Sequence, residues 1–190
     1  MNPRFEAAWE LHIFLTEHHI AYAIIGGVAA QHWGEQRFTQ DVDMTIATSP
    51  ADDIEQVVTL LTHRFRSRVS NPVEFARLRR MILLTAGNNV DVDVSLALPG
   101  YEDDLLARAV DFVPEIGKAI RLCTAEDLII HKTVAGRPQD LSDIQSMVFR
   151  QAEKLDLTYI REWLRQFAAI MEQPELPERF ESAWRKRTAA

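Results

Sequence analysis

The sequence predicts an α/β (α+β) fold, a small mixed sheet flanked by helices and followed by a C-terminal helical region. Three observations predict it. Short apolar runs at residues 22–25 and 81–85 have the length of buried strands. Segments 41–46 and 90–98 alternate polar and apolar residues, as strands with one face in a core do. From Thr124 onward the pattern becomes helical, punctuated by caps and prolines.

The elements follow in order. Asn2-Pro3 reads as a helix N-cap and first-turn proline, with Phe5, Ala8, Trp9 and Leu15 near one face up to His18. Residues 22–25 form a strand broken by Gly26-Gly27, and residues 28–33 form a short helix. In strand 41–46, Asp41, Asp43 and Thr45 share one face, and Val42, Met44 and Ile46 the other. Ser49-Pro50 opens a helix whose stripe is Ile54, Val57, Val58 and Leu61. Residues 81–85 and 90–98 flank the turn Ala86-Gly87-Asn88-Asn89, which predicts an antiparallel hairpin. Residues 102–110 read as a short helix, and 112–122 as extended chain around Gly117. Thr124-Ala125-Glu126-Asp127 opens a helix that Gly136 stops. Pro138 restarts a helix to about residue 153, and Asp156 caps another through Met171. Beyond Pro174 and Pro177, a last amphipathic stretch runs to Arg187. The expected division is residues 1–123 as core with its N-terminal helix, and 124–190 as a helical region packed on it.

Bulk properties narrow the function. With 190 residues, 47% hydrophobic and 26% charged, the chain has ordinary globular composition. No run approaches the ~18 apolar residues of a membrane span, and the charged N-terminus has no signal core. A single cysteine, Cys123, excludes an internal disulfide, so a cytoplasmic location is expected. A net charge of −7 argues against wholesale coating of nucleic acid but leaves room for a local basic groove.

The chemistry lies in the acidic pairs. Asp41 and Asp43 sit roughly 6.6 Å apart along one strand face, where uncompensated carboxylates repel each other. A lone pair of this kind also describes a wet strand face. Asp91 and Asp93 repeat the pattern in the second strand, although acids are disfavoured in strands. One carboxylate from that strand with Asp41 and Asp43 makes a three-carboxylate cluster suited to Mg²⁺, one ion or two, and to in-line displacement at phosphorus. Gly26-Gly27, between a strand and a helix, lets backbone approach a phosphate closely, though it also serves as a plain turn.

These residues carry a resemblance. A GG turn, an aspartate pair on a strand and a third strand aspartate resemble the polymerase-β-like nucleotidyltransferase superfamily. Adding Arg37-x-Thr39-x-Asp41-x-Asp43 and the stretch HKTVAGRPQDLSD, with Lys132, Arg137, Asp140 and Asp143, it is similar to the AbiEii-type branch, toxins of bacterial toxin–antitoxin systems, over residues 20–150. The resemblance implies metal-dependent transfer of a nucleoside monophosphate from a nucleoside triphosphate to an acceptor hydroxyl. Asp41, Asp43 and Asp93 would be the catalytic and metal-binding carboxylates, with Asp91 the rival for the third place. Gly26, Gly27, Arg37 and Lys132 would bind the nucleotide. Arg37 equally suits bracing the aspartate strand, and Arg137, Asp140 and Asp143 suit a structural network. A tRNA or protein acceptor and a cognate antitoxin are implied partners. A silent nucleotide- or partner-binding module and a small-molecule nucleotidyltransferase are the competing readings.

One basic stretch stands apart. Residues 64–80 hold six arginines against one acid, Glu74, with Arg64, Arg66 and Arg68 alternating. This suits an RNA backbone, or a solvated face pairing with nearby acids. Trp33 suits either base stacking or packing.

Overall fold

A computed structural model describes residues 2–48 and 54–187. The chain divides into two compact units, one of Met1–Val28 with Phe38–Cys123, the other of Ala29–Arg37 with Thr124–Ala190.

The first unit is built on a seven-stranded sheet: β1 (Tyr22–Ile24), β2 (Val42–Ile46), β3 (Arg66–Ser67), β4 (Met81–Thr85), β5 (Asp91–Leu96), β6 (Val110–Glu115) and β7 (Lys118–Leu122). Their spatial order is β3-β4-β5-β2-β1-β7-β6. The sheet is mixed, as expected: β2 runs parallel to β5 and β1 to β7, and the remaining neighbours are antiparallel. The helices are α1 (Pro3–Glu17), α3 (Ile54–Arg64), α4 (Pro72–Arg79) and α5 (Tyr101–Arg108), together with the start of α2 (Gly26–Trp33).

Alternation decides which sheet face is dry. Val42, Met44 and Ile46 of β2, Val92, Val94 and Leu96 of β5, and Ile82 and Leu84 of β4 are buried. They form one core with Leu11 and Leu15 of α1, Val58 and Leu61 of α3 and Ala76 of α4. Burying such side chains contributes about 1.5–3 kcal/mol each, so a one-residue slip of β2 or β5, which would turn the aspartates inward, is strongly opposed. The half-buried Asp43, Asp91 and Asp93 are thereby held on the opposite face.

Local signals act where the sequence places them. Asn2 Oδ1 accepts from the Arg4 amide at 3.0 Å and caps α1. The turn after β4 closes the expected hairpin, pairing Thr85 with Asp91. The opening of α3 at Ser49-Pro50 lies outside the described residues. Two features differ from expectation. The alternating arginines contribute only two residues to a strand, β3. The segment after them holds α4, which sequence reading passed over. Its signal is present: Asn71 caps the helix through the Glu74 amide, and Pro72 occupies the first turn.

The second unit contains α6 (Ala125–Ala135), α7 (Pro138–Gln151), a 3-10 turn (Ala152–Lys154), α8 (Leu157–Ile170), α9 (Leu176–Arg187) and the remainder of α2. Ile129, Ile144, Met147, Ile160, Leu164 and Phe180 are buried at 1% exposure or less. Thr124 caps α6 through the Asp127 amide, and Gly136 ends it with φ 62°. Asp156 caps α8 through Tyr159.

Candidate active site

Asp43 and Asp93 stand side by side. The parallel register of β2 and β5 pairs Asp43 with Asp93 and Thr45 with Ser95, across a strand spacing of about 4.8 Å. Asp41 directly precedes β2 on the same face, and Thr39 Oγ1 donates to its Oδ1 at 3.0 Å.

The glycine pair makes room for this row. Gly26 has φ 60°, and a Cβ there would lie 1.9 Å from Asp43 Oδ2. At Gly27 a Cβ would lie 2.4 Å from Thr39 Oγ1. The Gly27 amide points at Asp43 Oδ2 across 3.4 Å, at the start of α2, where a helix N-terminus favours a negative charge. The sequence assigns this turn to close approach of a phosphate. Within the protein, the groups that approach it closely are the Asp43 carboxylate and the Thr39 hydroxyl.

A guanidinium meets the second acidic pair. Arg68 Nη2 donates to Asp93 Oδ1, and its Nη1 lies 3.4 Å from Asp91 Oδ2. Arg68 Nε is fixed on the Leu84 carbonyl at 3.1 Å. Asp91 also accepts from Thr85 Oγ1 at 3.2 Å. Arg68 is the neighbour that sequence reading missed. Its amide bonds the Leu83 carbonyl, and Leu83 pairs with Asp93, so Arg68, directly after β3, forms a row with Leu83, Asp93 and Asp43 of β4, β5 and β2. Three of the other arginines of this stretch are also engaged locally. Arg64 pairs with Glu10 at 2.6 Å and Arg77 with Glu55 at 3.0 Å. Arg80 donates to the Leu96 and Ala97 carbonyls.

Next along the β2 face, Thr45 Oγ1 lies 3.5 Å from Glu102 Oε1. The other Glu102 oxygen accepts from the Leu98 amide at 2.6 Å. Burial pushes the Glu102 carboxyl above its ordinary range, against the lowering effect of those hydrogen bonds.

Whether these residues suit a divalent cation can be tested on their own chemistry. The oxygens of Asp41, Asp43 and Asp93 are hard donors of the kind Mg²⁺ takes, and the register sets two of them on adjacent strands. The Gly26 cradle keeps the Asp43 carboxylate in place. In kind and in register the set fits. No three His, Cys, Asp or Glu side chains among the described residues converge as one ion-holding group, and Asp93 is instead directed at Arg68.

In the second unit the HKTVAGRPQDLSD stretch forms a charge network. Lys132, 5% exposed, places Nζ 3.0 Å from Asp140 Oδ1 and 2.6 Å from Asp143 Oδ2. Arg37 grips both oxygens of Asp143, at 2.8 and 2.9 Å. Arg137 Nε reaches Asp140 at 2.6 Å, and Gln139 reaches Asp143 at 3.0 Å. Burial by itself raises both aspartate carboxyls. Hydrogen bonds from Arg137 and Lys132 to Asp140, and from Arg37 and Lys132 to Asp143, outweigh it and hold both below the usual carboxylate range. The expected triphosphate-facing cations, Arg37 and Lys132, are therefore paired within the protein. The physical reason is local: Asp140 and Asp143 are neighbours on one helix turn, and a buried ammonium requires such partners. His131 beside Lys132 is half-buried, and desolvation lowers its imidazole to about 4. Trp33 packs edge-on to His32, ring centroids 4.4 Å apart, and its carbonyl accepts from Gln151.

Comparison with known proteins agrees with the class this site suggests. The chain belongs to the family described as Nucleotidyltransferase of unknown function (DUF6036), whose profile matches residues 6–188. The crystal structure of an antigenic nucleotidyltransferase-like protein from Paracoccidioides brasiliensis is similar at a TM-score of 0.57 and 17% identity, covering 95% of this chain and 93% of that one, and shows the same fold. Weaker likenesses are to the antibiotic-resistance factor ANT(2'')-Ia (TM-score 0.46, 16% identity, 97% and 91% covered) and to the CCA-adding enzyme with CTP (TM-score 0.44, 14% identity, 96% of this chain and 47% of that one). No curated protein matches the sequence.

Proposed function

We propose that the protein moves a nucleoside monophosphate from a nucleoside triphosphate to an acceptor hydroxyl. The observation that carries this is the pairing of Asp43 with Asp93 across β2 and β5, on the face opposite the core, with Gly26 kept bare for the Asp43 carboxylate. In the step, a bond forms between the acceptor oxygen and the α-phosphorus. The bond from that phosphorus to the bridging oxygen breaks, and pyrophosphate leaves. Asp41 and Asp43 would hold Mg²⁺, which when bound neutralises phosphate charge and activates the attacking oxygen. Asp93 takes the acceptor proton or orients the acceptor oxygen. Thr39 keeps Asp41 aligned, and Gly26-Gly27 keep Asp43 aligned. Arg37 and Lys132 act through Asp140 and Asp143 as a brace for their unit.

The AbiEii-type branch is the finer reading, supported by the motif of Lys132, Arg137, Asp140 and Asp143. It makes the protein a cytoplasmic toxin with a tRNA or protein acceptor and a cognate antitoxin. No helix among the described residues is long and apolar enough to cross a membrane. A second reading, a silent nucleotide- or partner-binding module, is favoured by the internal pairing of both Lys132 and Asp93.

Incubating the protein with α-labelled triphosphates, Mg²⁺, total tRNA and a protein extract separates the two. Labelled tRNA or protein with wild type, reduced about 100-fold or more by Asp43→Asn or Asp93→Asn, supports transfer. Triphosphate binding with no labelled acceptor supports the silent module, and equal labelling by the variants overturns the assignment.

A further inference from the structure

Three observations meet at Asp93. Its register partner Asp43 lies one strand away. Its Oδ1 is taken by Arg68, whose guanidinium also faces Asp91. And Arg68 is not a loosely hanging surface side chain: its amide and its Nε are both fixed to β4, on the Leu83 and Leu84 carbonyls. A cation is therefore built into the sheet face beside the carboxylates that would otherwise repel each other.

We propose that Arg68 is a positioning residue and resident counter-cation for Asp93, which it holds away from the metal site until a divalent ion displaces it. This rests on the reading of Asp41, Asp43 and Asp93 as the metal-binding carboxylates. The geometry gives the mechanism. A carboxylate with one oxygen accepting from a guanidinium fork has less charge and less freedom to offer an ion. Asp93 joins Asp43 only when the Arg68 contact is exchanged for the metal. The guanidinium, tethered through Nε, then retains Asp91 as its acidic neighbour, which gives that residue its place: it keeps Arg68 close without itself being a ligand. The arrangement makes metal affinity a property tuned from two strands away, and it ties full assembly of the site to ion concentration.

The test is metal binding by the full chain, read without any turnover. Mn²⁺ is titrated into wild type, Arg68→Ala, Arg68→Lys and Asp43→Asn, and unbound Mn²⁺ is followed by electron paramagnetic resonance. The same titration is run on Asp93→Asn with and without Arg68→Ala. Removing a unit positive charge a few ångströms from a divalent ion should tighten binding about tenfold, with Arg68→Lys between that variant and wild type. In the Asp93→Asn background the Arg68 substitution should have a much smaller effect, because the coupling is through that carboxylate. Unchanged or weaker binding in Arg68→Ala, or an equal gain with Asp93 absent, overturns the proposal. If Asp43→Asn still abolishes binding in that case, the metal-dependent reading stands without it. If wild type binds no Mn²⁺ at all, that reading fails and this one with it. Should Arg68→Ala not fold, as judged by circular dichroism, Arg68→Gln and Arg68→Lys give the same comparison.

Discussion

Gly26 shows how one missing methyl can set a carboxylate. Its φ of 60° is costly for other residues, and the space its side chain would take belongs to Asp43 Oδ2. Gly26→Ala should therefore lower stability by about 1–2 kcal/mol for the left-handed backbone and, by displacing Asp43, reduce transfer about 100-fold. Gly100 is the control. It has φ 102° with no atom within 4 Å of an added Cβ, so Gly100→Ala should cost stability through backbone strain alone and leave transfer near wild type. Urea unfolding together with the labelling assay separates the two effects. Lys132 is the opposite case, a residue whose partners define it. Lys132→Met leaves Asp140 and Asp143 buried with less countercharge, and breaking a buried pair in this way costs roughly 3–5 kcal/mol. A urea midpoint within error of wild type would contradict the brace assigned to it.

The helices α4 and α6 are set by their first turns. Each begins with a side-chain cap, Asn71 onto the Glu74 amide and Thr124 onto the Asp127 amide. Asn71→Ala and Thr124→Ala should each lower stability by about 1 kcal/mol. Thr124 has a second role, donating to Asp127 Oδ2 at 2.6 Å, so its loss should be the larger when the two are compared by thermal unfolding. Both caps belong to the sequence, yet only one was read. Thr124 precedes a clear apolar run, whereas Asn71 sits within an arginine-rich stretch whose alternation suggests a longer strand. The alternation of β2 and β5 was legible for the converse reason: three apolar residues on one side and aspartates on the other leave one way to bury the strand.

Acid should unfold the protein in two windows. His131 is half-buried, and its folded-state value of about 4 lies below the ordinary 6.5. Above pH 6.5 it is neutral in both states. As pH falls from 6.5 towards 4, the unfolded chain takes up a proton that the folded chain refuses, and stability declines. Asp140 and Asp143 act lower. Their folded carboxyls titrate below the ordinary 3.8, so their contribution is full above that value and is lost as pH falls through their depressed values. Melting temperatures between pH 3 and 7 should show both slopes. His131→Gln should flatten the upper one, and Asp140→Asn the lower one, at reduced stability throughout. A melting temperature constant from pH 6.5 to 4 would show that His131 carries no such linkage.

What the chain order alone dictates here is local: which residues alternate, where helices are capped, and that Asp41 and Asp43, like Asp91 and Asp93, share a strand face. Backbone geometry enforces those relations whatever the rest of the molecule does. Which remote groups meet is another matter. Asp43 beside Asp93, Arg68 reaching that carboxylate over Leu83, and Arg37 gripping Asp143 from 106 positions away depend on strand order and on burial of a shared core. Those follow from packing summed over a whole unit, and no short window of sequence contains it.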